Sequence, residues 1–142
     1  MSNYFAAENL ILNKLDNLNS DFKLITSARN LQELQNHPGP SPALYLIYDG
    51  QEPFMGAGSA QIIDQSWLTV IVVRSARDTV TGAFERLEAG PLIIKLCEAL
   101  LGWQPDSQYG ALTIKTAPGP IYNNGLGYYP VRFSTRLTLR GQ

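Results

Sequence analysis

The chain has very few of the residues on which most metal-binding and redox chemistry depends. Its 142 residues include one cysteine and one histidine. These cannot build a thiolate or imidazole metal site, and no Asp-x-Asp-x-Asp run offers a calcium loop. The single cysteine, Cys97, also excludes an internal disulfide, as expected in a reducing compartment. We therefore expect Cys97 to be a small core residue and the chain to need no cofactor.

The same shortage limits catalysis. His37 lies in a proline-rich loop, and no nucleophile-elbow sequence accompanies it, so a Ser-His-acid triad is not expected. The glycines of residues 56–58 and 119–127 lack the strand-turn-helix context of a phosphate loop. Glu85 and Glu88 lie near a predicted helix start, where we expect them to be solvated and favoured by the helix dipole. The sequence therefore predicts a protein that is not an enzyme.

Positive charge and long apolar runs are also scarce. The chain has 11 Lys and Arg against 12 Asp and Glu, a net charge of −1, which argues against nucleic acid as a ligand. Charged residues make up 16% of the chain, below the usual value of about 25%, so we expect a partner to cover part of the surface. With no membrane-spanning run and no basic leader, we expect the protein to stay in a cytoplasm until cell lysis.

Hydrophobic periodicity predicts an α+β fold. The predicted elements are an amphipathic helix over residues 5–18, strands over 22–26, 43–48 and 66–75, a helix ending at residue 101, and strands over 112–116 and 129–139. Pro91 suits a first helical turn far better than a helix interior, so we place the start of the second helix near Gly90, while allowing a kinked continuation from Gly82. We expect a single domain, residues 1–142, with a mostly antiparallel, mixed sheet of four to five strands and the N-terminal and central helices on one face.

Two segments between these elements carry local signals. Residues 51–60 are rich in Gly, Ala, Pro and Ser, which predicts a hairpin loop or a projecting, flexible arm at about residues 50–60. The polar residues 64–66 after it suggest a β-bulge. Asn30 and Glu33 have the spacing of a capping box for a short helix.

The central helix is apolar over more than one face. With its residues placed at steps of about 100°, its apolar side chains cover an arc of roughly 220°, whereas a surface helix needs a stripe of about 100°. The helix must then be covered on two sides. One cover is the sheet, and the other is either the N-terminal helix or a neighbouring copy of the chain.

The candidate interaction residues lie at a strand end, on the arm and at a loop tip. The charged residues after the long strand fit a solvated turn or an inter-subunit salt bridge, and the arm and the tip fit contacts with neighbours, because tyrosine and exposed apolar residues favour interfaces. The candidates are Arg74, Arg77 and Asp78 at the strand end, Phe54 and Met55 on the arm, and Tyr122, Asn123 and Asn124 at the tip.

Five short motifs carry a resemblance to a known family. They are Trp67-Leu-Thr-Val-Ile-Val-Val73, Arg74-Ser-Ala-Arg-Asp78, Ala89-Gly-Pro-Leu92, Ala99-Leu-Leu-Gly-Trp-Gln-Pro105 and Tyr129-Pro-Val-Arg-Phe133. Over about residues 43–139 the chain resembles the tail terminator proteins of long-tailed bacteriophages, particularly those of Mu-like phages and prophages. Carried over to this chain, Gly102 and Trp103 would end and plug the central helix.

The resemblance implies a structural α+β subunit without enzyme activity. Such subunits form a six-membered ring on the end of a completed tail tube, stop the tube from growing and present a surface to the head. The implied partners are further copies of the chain, the tail tube protein and a head-completion or connector protein, with the sheath protein as a further candidate. The implied location is the tail or neck of the virion, after assembly in the host cytoplasm.

Other functions stay open at this point. A different neck, head-closure or tail-completion protein could use a similar small α+β unit. A small-ligand binding module would instead need a pocket under the arm, and an enzyme would need chemistry from residues that have no recognisable partners.

Overall fold

The computed structural model describes residues 3–74 and 81–142. In chain order the elements are α1 (Ala6–Leu15) followed by a 3-10 turn (Asp16–Leu18), β1 (Leu24–Ser27), α2 (Leu31–Asn36), β2 (Ala43–Ala57), β3 (Ala60–Arg74), α3 (Ala83–Leu100), β4 (Thr113–Lys115), β5 (Ile121–Asn123) and β6 (Leu126–Arg140). The predicted α+β class is confirmed. None of the described helices is long and apolar enough to cross a lipid bilayer.

The strands form one mixed sheet in the order β1-β2-β3-β6-β4, with β5 also paired to β6. The β1–β2 pair is parallel, and the other described pairs are antiparallel. A mostly antiparallel mixed sheet was predicted, but with four to five strands. The additional strand is β5, which has three residues and is too short for an alternating pattern to reveal it.

The helices α1 and α3 pack together on one face of the sheet, as predicted. Burying each large apolar side chain there contributes about 1.5 to 3 kcal/mol to folding. The buried cluster on this face includes Ala7, Ile11 and Leu15 of α1, Ala89, Leu96 and Leu100 of α3, and Trp67, Ile71 and Phe133 of the central strands.

The ends of α3 follow from two glycines. The helix begins at Ala83, so the continuation from Gly82 is the correct alternative, and Pro91 lies in the helix interior. Pro91 has no N–H to donate to the carbonyl of Leu87, and Leu87 is exposed, so water can occupy that carbonyl. The helix ends as predicted at Gly102, which has a φ of +76°.

The opposite face of the sheet is covered over part of its length. Leu34 of α2 packs on this face against Tyr45 and Leu68, and Ile121 adds a further contact. The side chain of Asn30 caps α2, because its Oδ1 accepts a hydrogen bond from the backbone N–H of Glu33 at 2.9 Å. This is the hydrogen bond that the Asn30 side chain makes in the predicted capping box.

Beyond the residues covered by α2, the long strands continue as a three-stranded extension with one open face, which we call the arm. It consists of residues 49–57 of β2, 60–66 of β3 and 134–140 of β6. Ala57 pairs with Ala60, so the predicted loop or flexible arm is strand except for a two-residue turn. Gly58 in this turn has a φ of +59°. β6 follows β3 to the tip, where the Gly141 N–H donates to the Ser59 carbonyl at 2.6 Å.

The predicted bulge at residues 64–66 of β3 is wrong. β3 pairs with β6 in unbroken register, and the irregularities lie in the partner strand β2, between Tyr48 and Gln51 and between Pro53 and Met55. The polar residues that suggested the bulge are held by specific contacts described below.

Candidate subunit interface

The predicted interface residues that the structure describes lie at two opposite ends of the long strands. β3 has 15 residues, and at about 3.3 Å per residue its ends lie about 45 Å apart. One group is on the arm, and the other surrounds the hairpin between β5 and β6, where Arg74 pairs in register with Leu126. The arm group is Phe54 and Met55, and the hairpin group is Arg74, Tyr122, Asn123 and Asn124, whereas Arg77 and Asp78 lie outside the described residues.

The arm exposes apolar side chains beside a guanidinium group. Phe54 and Met55 are exposed by 45% and 60%. The Arg136 guanidinium lies 3.6 Å from the centre of the Phe54 ring, a cation–π contact, and its Nε lies 3.4 Å from Asp64 Oδ1. This contact holds the Phe54 ring on the sheet while leaving its outer side open. The arm can therefore offer a partner apolar area beside an ion pair.

The base of the arm is held by a second ion pair. Arg132 of β6 approaches the Asp49 carboxylate from β2, with Nη2 at 2.5 Å and Nε at 2.7 Å from Oδ2. Arg132 also donates a hydrogen bond to the Thr116 carbonyl in the segment after β4. Both charged side chains are half-buried, and the contact of two guanidinium nitrogens with one carboxylate oxygen links β2 and β6 across the intervening strand β3.

The hairpin at the other end has a tight turn, as the sequence predicts. Asn124 and Gly125 both have positive φ angles, +53° and +75°, between the paired residues Asn123 and Leu126. This is the conformation of a two-residue type I′ turn, which Asn-Gly sequences favour. The side chains of Asn123 and Asn124 are exposed and present amide groups at the tip.

Tyr122 anchors this hairpin to the start of α3. Its hydroxyl accepts hydrogen bonds from Arg86 Nη1 at 3.1 Å and from the Tyr129 hydroxyl at 3.2 Å. Its ring lies so close to Gly82 that a Cβ there would come within 2.7 Å of Cζ. Burial, followed by the interaction with Tyr122, raises the pKa of Tyr129. Tyr122 is thus both a partly exposed interface candidate and a structural contact.

Glu85 is buried, so its predicted solvation is wrong. It is 4% exposed, and its Oε1 has no hydrogen-bond partner among the described residues. The cause is the early start of α3, which places Glu85 in the first turn against Gly127 of β6. The positive end of the helix dipole still favours its charge there. Glu88, one turn later, is exposed as predicted.

A polar contact that sequence reasoning missed ties the N-terminal segment to the sheet. Gln65 is fully buried, donates to the Tyr4 carbonyl at 2.9 Å and accepts from Trp67 Nε1 at 3.0 Å. Next to this contact, the Phe5 ring packs edge-on against the Tyr48 ring, and the Tyr48 ring packs edge-on against Trp67. Burial, together with the hydrogen bond to Tyr4, raises the pKa of Tyr48 to about 12.

The outer side of α3 carries an exposed apolar row. Leu87, Ile94 and Leu101 are 75%, 59% and 45% exposed and stand seven residues apart, which places them on one side of the helix. We call these three residues the α3 stripe. The N-terminal helix α1 supplies the second cover that the apolar arc required, yet it leaves this part of the arc open. Glu98 is exposed beside the stripe.

The remaining candidate sites offer little chemistry. His37 has a side chain that is 79% exposed, and burial raises the pKa of the partly buried Cys97 thiol. No three His, Cys, Asp or Glu side chains in residues 3–74 and 81–142 are grouped as metal ligands. A groove of about 710 Å³ beside the arm is lined mainly by polar residues, whereas ligand pockets are mostly apolar. The groove lining is Asn3, Tyr4, Ser107, Gln108, Thr138, Leu139, Arg140 and Gln142.

Comparison with known sequences identifies the family. The family model described as phage tail terminator protein matches residues 1–142, the whole chain. A search of curated protein sequences gave no match. The family match confirms the resemblance seen in the motifs of residues 43–139 and extends it to the N-terminal third. The chain therefore belongs to the phage tail terminator protein family.

Proposed function

We propose that copies of this chain form a closed, six-membered ring on the end of the tail tube, stop its growth and provide the surface to which the head is joined. Family membership makes the chain a structural component of a phage tail. The proposed role is non-enzymatic and is carried out in the tail or neck of the virion after assembly in the host cytoplasm. The partners are further copies, the tail tube protein and a head-completion or connector protein, with the sheath protein as a further candidate.

One observation carries the ring proposal. The two candidate surfaces lie at opposite ends of the same strands and differ in chemistry. The arm offers Phe54 and Met55 beside Arg136, whereas the hairpin end offers Tyr122 and exposed amides. A closed ring is built from heterologous contacts, in which one patch meets a different patch on the next subunit. The chemistry of the arm therefore favours contact with a different patch on the next subunit over contact with the arm of that subunit.

The two surfaces can divide the work of the ring. The arm is a paired, three-stranded structure that keeps its shape without a partner, so it can reach a neighbouring subunit or the tube without first folding. The hairpin is anchored through Tyr122 to α3, so a contact at Asn123 or Asn124 is transmitted to the helix start. We assign the arm to neighbouring copies and the hairpin end to the tube or the head side.

The family match favours a terminator over a head-closure protein of similar fold. The small-ligand alternative required a pocket under the arm, and the groove there is polar. It therefore has little support.

Tube growth tests the proposal. Tail tube protein from the same phage is polymerised with and without the chain, and tube lengths are measured by negative-stain electron microscopy. We expect a narrow length distribution with the chain and continued elongation without it. A double variant, Phe54→Ser with Met55→Ser, should lose termination, whereas Ile114→Ser, exposed outside both surfaces, should retain it. Equal length distributions with and without the wild-type chain would overturn the proposal.

A further inference from the structure

We propose that the α3 stripe is the surface on which the arm of a second copy docks. This inference rests on the proposed ring and names the two surfaces that meet between neighbouring subunits. The sequence does not indicate that these two surfaces meet. It predicts only that the central helix has a second cover, which is either α1 or a neighbouring copy.

The α3 stripe has the form of a docking surface for an extended segment. Its three side chains, Leu87, Ile94 and Leu101, are all large and apolar and are exposed by 45% or more. They span fourteen residue steps, which at about 1.5 Å per residue gives a length of about 21 Å. Their alignment on one side of the helix, about 10 Å apart, distinguishes them from scattered surface leucines and favours an interaction site.

The arm cannot cover the stripe of its own chain. Arg136 alternates along β6 with Leu137, which belongs to the core under α1 and α3, so Arg136 and the Phe54 ring stacked on it lie on the opposite face of the sheet. Met55 pairs with Ile62 and shares that face. The exposed apolar side chains of the arm therefore point away from α3. They can reach an α3 stripe only on another copy, which is a heterologous contact.

Length and charge are compatible with this pairing. Residues 51–57 of the arm span six residue steps of strand, about 20 Å at 3.3 Å per residue, close to the length of the stripe. On the arm face Arg136 is paired with Asp64, whereas Arg140, nearer the tip, is exposed. The stripe is bordered by the exposed carboxylate of Glu98. An ion pair between Arg140 and Glu98 would help to set the register of the interface.

Disulfide trapping tests this pairing. In a Cys97→Ala background, one protein carries Met55→Cys and a second carries Ile94→Cys. Both positions are about 60% exposed, so the substitutions should not disturb folding. The two proteins are mixed under mild oxidation, alone at high concentration and with assembled tubes of the same phage. The matched control replaces Met55→Cys with Ile114→Cys, which is 52% exposed on β4 outside both surfaces.

We expect the Met55→Cys and Ile94→Cys proteins to form a mixed disulfide about tenfold more efficiently than the control pair, as high effective concentration in a specific contact requires. A chain with both cysteines should give a ladder of linked subunits. Preferential linkage of Ile94→Cys to itself, or to the tube protein, would overturn the assignment. If rings form but the mixed disulfide does not, the pairing of the arm with the α3 stripe is wrong and the proposed ring still stands. If the wild-type chain fails to terminate tubes, the proposed function is wrong.

Discussion

At one end of the long strands, helices cover one face of the sheet and α2 with the residue 117–121 segment covers the other; at the arm, only the helix side is covered, and only near the base. The end covered on both faces is filled with apolar side chains such as Val70 and Ile71. The arm buries Ile63 and Leu137 on its helix side and carries the charged pair Asp64 and Arg136 on the other face. The strands are therefore stabilised by burial on both faces at one end, and by burial on one face, strand pairing and ion pairs at the other.

The arm also has features that keep it from pairing with the wrong strand. Beyond Leu46, none of the described strands pairs with the outer edge of β2. Pro53 and two register irregularities lie along that edge. Proline and bulges on an edge strand hinder unspecific strand addition. The edge of β2 on the arm therefore disfavours pairing with further strands, while the side chains of Phe54 and Met55 stay exposed.

The largest expected effect separates the two ends directly. Ile71 is fully buried in the covered end, and Ile71→Ala should lower the free energy of unfolding by about 2 to 5 kcal/mol, because it leaves a cavity. Met55→Ala on the arm should change it by no more than about 0.5 kcal/mol. Denaturant unfolding of the isolated protein measures both. A loss at Met55 as large as that at Ile71 would show that the arm is packed within one chain.

The next effect concerns the junction between the two ends. Gln65→Ala removes both hydrogen bonds of a buried side chain and leaves Trp67 Nε1 without its acceptor, which should cost about 2 kcal/mol of unfolding free energy. The control is Gln61→Ala, exposed on the same strand four residues nearer the tip. Urea titrations compare the two variants, and equal midpoints would contradict the view that Gln65 anchors the N-terminal segment.

Ion pairs on the arm should contribute less. Asp49→Asn weakens a half-buried pair in which two Arg132 nitrogens contact one carboxylate oxygen, and should cost about 1 kcal/mol. Asp64→Asn, opposite the more exposed Arg136, should cost about 0.5 kcal/mol or less. Unfolding measured at low and high salt tests this order. The ranking would be refuted if Asp64→Asn proved the more destabilising change.

The smallest effect is on pH dependence at the arm base. The pKa of Tyr48 is raised from 10.0 to about 12 by burial and the contact with Tyr4. Because the folded state holds the proton more tightly, this contribution to stability is complete below pH 10 and is lost as pH rises towards 12. Tyr48→Phe should therefore make the alkaline fall in melting temperature shallower. An unchanged slope across this range would contradict the assignment.

The parts of the fold that the sequence predicts correctly are those fixed by local chemistry. The Asn124-Gly125 turn, the helix stop at Gly102 and the Asn30 cap each depend on a few neighbouring residues. Along β6, the alternating residues Val131, Phe133 and Leu137 belong to the core under α1 and α3. Ser134, on the other face, is also buried because β4 pairs beside it.

The predictions that are wrong concern features that depend on residues far away in the sequence. The strand character of residues 51–57 is hidden by Gly and Pro and is imposed by pairing with β3. Glu85 is buried because β6 lies against the first turn of α3. The residues next to Glu85 in the sequence do not indicate this contact. At the candidate interface, Phe54 and Met55 are exposed on the arm, and their role there stays a prediction. The α3 stripe depends on which side of the helix α1 covers. Periodicity revealed the width of the apolar arc but not its uncovered part.

Electron microscopy of tube ends tests the central claim most directly. Tubes of the tail tube protein are capped with the wild-type chain, purified and imaged, and their ends are averaged. The account predicts one closed ring at one end of each tube, with the arm of every subunit lying across α3 of its neighbour. Bare tube ends, or copies bound singly along the tube wall, would contradict it.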